Sequence, residues 1–99
     1  MIFGWFDATE AQRFGRSLAT FFIERLPPAE KTSSKKFEVK AKDTLEKMAR
    51  QVVEFRNSHR LNMYKKAKLG NAFKWTLRDA GFDHDYSDKL TEWLMLQLQ

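Results

Sequence analysis

A chain of 99 residues with 42% apolar and 14% aromatic side chains is the size of a single domain, residues 1–99, built on one core. It has no cysteine, which excludes disulfide frameworks, thiol nucleophiles and thiolate metal sites and leaves packing as the source of stability. The net charge of +5 is unevenly spread, with net 0 over residues 1–34, +9 over 35–78 and −4 over 79–99, so the basic middle either faces an external anion or is neutralised by the acidic end packed beside it.

The chain opens with MIFGWF, an apolar arm over residues 1–7 in which Met1, Ile2, Phe3, Trp5 and Phe6 place more oily surface ahead of the first helix than a loose end leaves in water. Three covers suit it: the bundle itself, a partner protein, or a peripheral membrane contact that one short segment would hold only weakly. A membrane span of ~20 apolar residues does not fit, because Asp7, Glu10, Arg13 and Arg16 interrupt the window. The basic opening and small-residue cleavage site of a secretory signal are also missing. The expectation is a soluble, cytoplasmic protein.

The first helix is expected from Ala8 to Arg25. Asp7 is its N-cap, Glu10 reaches back as in a capping box, and Phe6 staples onto Ala11. Ala11, Phe14, Gly15, Leu18, Phe21, Phe22 and Leu26 recur at three and four, and Pro27 and Pro28 end the run. Residues 27–36 read as a solvent-exposed linker in which Thr32, Ser33 and Ser34 compete to cap the next helix. That second helix carries its stripe on Ala41, Leu45, Met48, Ala49, Val52, Val53 and Phe55.

Two breaks are then predicted. Asn57 and Ser58 can end the second helix and cap a third, although no proline or glycine forbids continuing through them, and Gly70-Asn71 offers a second interruption. Leu69, Ala72, Phe73, Thr76, Leu77 and Ala80 share a face, closed by Gly81 and Phe82. The last helix starts within Asp83, Asp85 and Ser87, all suited to an N-cap. It runs its stripe along Tyr86, Leu90, Trp93, Leu94 and Leu98, with Met95 and Leu96 off it. Apolar on more than one side, such a helix is central or pairs with another copy of the chain. With no period-two alternation and no repeat, the fold class is all-α, a single-domain bundle of four to five helices with an apolar N-terminal arm.

Little in the sequence suggests chemistry. His59 and His84 have no serine or cysteine nucleophile arranged beside them, and His59 reads as a polar residue at a helix junction. Asp83-His84-Asp85 reads as a cap rather than a metal site, since adjacent side chains diverge. The four glycines are scattered and match no phosphate-binding pattern. No catalytic residue, metal or cofactor is expected, and the protein is read as a non-enzyme. Were residues 60–78 one helix, Arg60, Asn71, Lys74 and Arg78 would fall within roughly 60° of one another, with Tyr64, Lys68 and Trp75 on the adjoining edge.

The expected function is a small protein–protein interaction module of adaptor or regulatory type. Phe3, Trp5 and Phe6 would be its apolar anchors and Arg60, Lys68, Lys74 and Arg78 its charged rim. A homodimer through the last helix is a further expectation. The alternative is an RNA- or DNA-binding module on the basic face of residues 56–78, using Arg60, Tyr64, Lys68, Lys74, Trp75 and Arg78 to neutralise phosphates and stack bases.

Overall fold

The computed structural model describes residues 7–28 and 34–99. Within them the chain forms four α-helices and no strand: α1 (Thr9–Arg25), α2 (Lys35–Ser58), α3 (Met63–Asp79) and α4 (His84–Gln97). The all-helical expectation therefore holds for these residues, while residues 1–6 of the arm and 29–33 of the linker lie outside them. No helix of the described residues is long and apolar enough to cross a membrane.

The start of α1 differs from the capping-box expectation. Asp7 does take a backbone amide, that of Thr9 at 3.1 Å, but Ala8 occupies the cap position without a side-chain bond. Glu10 turns forward to Arg13 at 3.3 Å instead of back to the cap, an exposed pair that offsets the loss only slightly. Phe6, the proposed staple, is outside the described residues. Of the three rival caps for α2, Ser34 does the work by accepting from the Phe37 amide at 3.0 Å, so α2 begins inside the stretch expected to be linker.

The core stripe of α2 is also shifted. Phe37, Thr44, Met48, Val52 and Phe55 are buried, whereas Val53, placed on the stripe from sequence, is 48% exposed. Thr44 tolerates burial because its hydroxyl donates to the Lys40 carbonyl at 2.8 Å and accepts from Arg25 Nε at 3.1 Å, leaving no polar atom unpaired. The helix stops at Ser58, and Asn62 begins the next by accepting from the Lys65 amide at 2.8 Å. Neither Asn57 nor Ser58 caps α3.

Gly70 does not interrupt α3, contrary to the second predicted break. It is buried mid-helix, and a Cβ there would lie 2.7 Å from Met95 Sδ of α4, so the glycine serves close packing rather than termination. The real terminus is Gly81, at φ 113°. Its amide bonds to the Arg78 carbonyl at 3.0 Å and that of Phe82 to Leu77 at 3.2 Å, the paired bonds of a left-handed C-terminal cap, with Phe82 turned into the core. Asp83 then caps α4, accepting from the Tyr86 amide at 2.7 Å.

Contacts fix the helix directions. Arg25 reaches Thr44 while Phe14 stacks on Phe55 at 4.2 Å between ring centroids, so α1 and α2 are antiparallel. Gly15 sits against Leu69 and Ala72 and Pro28 against Gly81, so α1 and α3 run parallel. Gly70 meets Thr91 and Met95 while Lys74 meets Asp88, so α3 and α4 are antiparallel. Phe37 faces Tyr86 and Arg56 donates to the Gln97 carbonyl at 3.2 Å, so α2 and α4 are parallel. α1 and α4 thus flank both α2 and α3. Between them Leu18, Phe22, Leu26, Met48, Val52, Leu69, Phe73, Leu77 and Leu94 are fully shielded from solvent.

Candidate binding surface

The continuous helix through Gly70 is what creates the candidate site. Advancing 100° per residue, α3 carries Tyr64, Lys68, Asn71, Trp75 and Arg78 within roughly 80° of one another, directly opposite Leu69, Phe73 and Leu77. The buried trio holds that second stripe outward. Tyr64 is 39% and Trp75 49% exposed, and the helical rise sets them about 16 Å apart.

Each ring carries a cation. Lys68 Nζ stands 5.5 Å from the Tyr64 ring centroid and the Arg78 guanidinium carbon 4.8 Å from that of Trp75. Such pairs are favourable through the ring quadrupole, by about 0.5–1 kcal/mol when solvated. They hold four side chains as two preformed units on one surface, which lowers the entropy that a partner would otherwise have to take away. Met63, 82% exposed, stands at the first position of α3, about 100° round the helix from Tyr64 and outside this stripe.

Lys74 is not part of this surface. Its ammonium pairs with Asp88 Oδ1 of α4 at 2.9 Å, and that hydrogen bond holds the Asp88 carboxyl below the usual carboxylate range, with His84, Lys74 and Arg78 adding charge attraction. His84 Nε2 lies 3.3 Å from the other Asp88 oxygen. Lys74 thus answers in part the choice posed by the charge distribution: the acidic C-terminal segment neutralises this one lysine, while Lys68 and Arg78 turn to aromatic rings. Asp83 and His84, considered for metal binding, are engaged as the α4 cap and in this pair.

Arg60 also departs from the wheel that grouped it with Lys74 and Arg78. It precedes α3 and is exposed, beside Asp7, Glu10, Phe55 and Lys65 in a hollow of about 300 Å³ at the start of the bundle. The neighbouring His59 ring stacks on Phe55 at 4.1 Å and its Nδ1 lies 2.9 Å from Ser58 Oγ, the bonding of a helix end. Phe3, Trp5 and Phe6, the expected anchors, lie outside the described residues.

A second surface was not legible from sequence. Between α2 and α4 an apolar hollow of about 510 Å³ is floored by Phe37, Ala41, Leu45, Ala49, Tyr86 and Trp93. Five of these six were assigned to core stripes, and Phe37 was passed over. The alanines at 41 and 49, too small to fill the space between the two helices, are the sequence feature that goes with it. Burial pushes the Tyr86 phenol above its ordinary range.

Compared with models of known protein families, with curated proteins and with solved structures, the chain matches none.

Proposed function

We propose that the protein is a small non-enzymatic interaction module that binds the acidic face of another protein through the outer stripe of α3. One observation carries this reading: Tyr64 and Trp75 stand in solvent, each under its own cation, although the core is closed without them. Tyr, Trp and Arg are the residues that dominate binding energy at protein interfaces. Lys68 and Arg78 call for carboxylates on the partner, since complementary charge speeds encounter and fixes register. The test is recovery of crosslinked partners by wild type and by Tyr64→Ala/Trp75→Ala. The reading requires a salt-sensitive partner present with the first and missing with the second; the same set from both would overturn it.

A second reading uses the same stripe for single-stranded nucleic acid, because two exposed rings separated by cations also suit stacked bases. Neutralising two phosphates would give a slope of log affinity against log salt of about −1.4. Titration with generic oligonucleotides at two salt concentrations decides it, and no binding at low salt would eliminate it.

A further inference from the structure

We propose that the hollow between α2 and α4 is a two-fold interface between two copies of this chain, independent of what binds α3. The first support is charge. Glu38, Lys42 and Glu46 recur every four residues and form one ridge along the rim of the hollow. No ion pair among the described residues engages these three, whereas Asp43 on the adjoining α1-facing edge binds both Arg25 and Lys47 at 3.1 Å. An alternating ridge of this kind complements itself. A two-fold axis passing beside α2, level with the midpoint between Lys42 and Glu46, sets Lys42 of each copy against Glu46 of the other, two reciprocal pairs with no like charges opposed.

The second support is shape. Ala41 and Ala49 flank Leu45 at four residues on either side and keep the floor of the hollow low, while Trp93, half-buried against the core on α4, lines its other side and leaves part of its ring for a second copy to cover. The same antiparallel apposition of the two α2 helices that pairs the charges brings Trp93 of each copy toward Ala41 of the other. Because the patch is self-complementary, the assembly closes at two copies instead of growing into a filament. The floor runs from Phe37 to Ala49, about 18 Å of helix, and α3, which packs on the far edges of α1 and α4, stays outside the interface. A dimer would therefore display two α3 stripes, and a partner with two matching sites would be held with added avidity.

Sedimentation equilibrium of the full chain over a concentration series tests this. Wild type is expected to approach twice 11.7 kDa as concentration rises. Lys42→Glu and Glu46→Lys each oppose like charges across the axis and are expected to weaken dimerisation at least tenfold; Lys42→Glu/Glu46→Lys reverses both partners and restores it. These side chains are exposed, so the swaps leave the fold intact, which circular dichroism checks. Ala41→Arg, which raises that floor, is expected to leave only monomer. A wild-type monomer throughout overturns the proposal, as does a dimer indifferent to the single swaps or one that the double swap fails to restore.

Discussion

The two sides of α3 differ by half a turn of one helix and obey different rules. On the inner side Leu69, Phe73 and Leu77 are fully buried, and Gly15 brings α1 so close that a Cβ would run into the Leu69 carbonyl oxygen. On the outer side two large rings stand in water with cations laid across them. Burial favours the first arrangement by about 25 cal/mol per Å² of apolar surface, and the outer rings, 39% and 49% exposed, draw on it less. The comparison teaches that folding and binding are divided by azimuth on a single helix, so substitutions on one side should leave the other property untouched.

The sharpest way to break that division is at Phe73. Truncation to alanine removes a fully buried ring and leaves a cavity, with an expected cost of about 3–5 kcal/mol, a large part of the 5–15 kcal/mol typical of a domain. Urea unfolding measures it, and a loss under 1 kcal/mol would contradict the assigned core. Gly15→Ala is expected to destabilise by about 1–3 kcal/mol. The new methyl meets backbone, which cannot swing aside, and this outweighs the ~0.5–1 kcal/mol that alanine gains over glycine within a helix. A raised unfolding midpoint would show that the α1–α3 approach is looser than described.

A smaller effect concerns the pair that ties α3 to α4. The Asp88 carboxyl is depressed by the Lys74 hydrogen bond, so its contribution is complete above the ordinary carboxylate range and disappears as pH falls through the lowered folded-state value. Asp88→Asn should therefore flatten the acid side of the stability–pH curve, and parallel curves for variant and wild type would deny the pair a role. The smallest effect belongs to the outer stripe. Tyr64→Ala and Trp75→Ala are each expected to cost under about 1 kcal/mol, the worth of an exposed cation–π pair, as thermal melts would report.

How much of this was legible beforehand depends on whether local chemistry or tertiary packing decided the outcome. Gly81 and Asp83 were readable because a left-handed residue and a carboxylate cap act within a few residues of chain. The stripe of α1 was readable because its apolar period is unbroken; that of α4 was readable at Leu90 and Leu94 but not at Ser87, a cap candidate that is buried, nor at Met95, set off the stripe yet packed against the core. Gly70 misled because the same residue that ends a helix also permits close helix contact, and only the position of Met95 distinguishes the two. Thr44 escaped notice because its burial depends on Arg25, nineteen residues away. Among the candidate site residues, Lys68, Arg78, Tyr64 and Trp75 fell together on the outer surface. Arg60 was lost to a helix start set by Asn62, and Lys74 to an acid on another helix. The α2–α4 hollow is a failure of two good stripes to meet, which neither stripe reveals alone.

The measurement that bears most directly on this account is partner recovery by Tyr64→Ala/Trp75→Ala, made at a temperature where its own melt shows it fully folded. The account predicts a native melt within a few degrees of wild type together with loss of the partner. Undiminished recovery from the folded variant, or a variant that cannot fold, would contradict the separation of the two faces of α3.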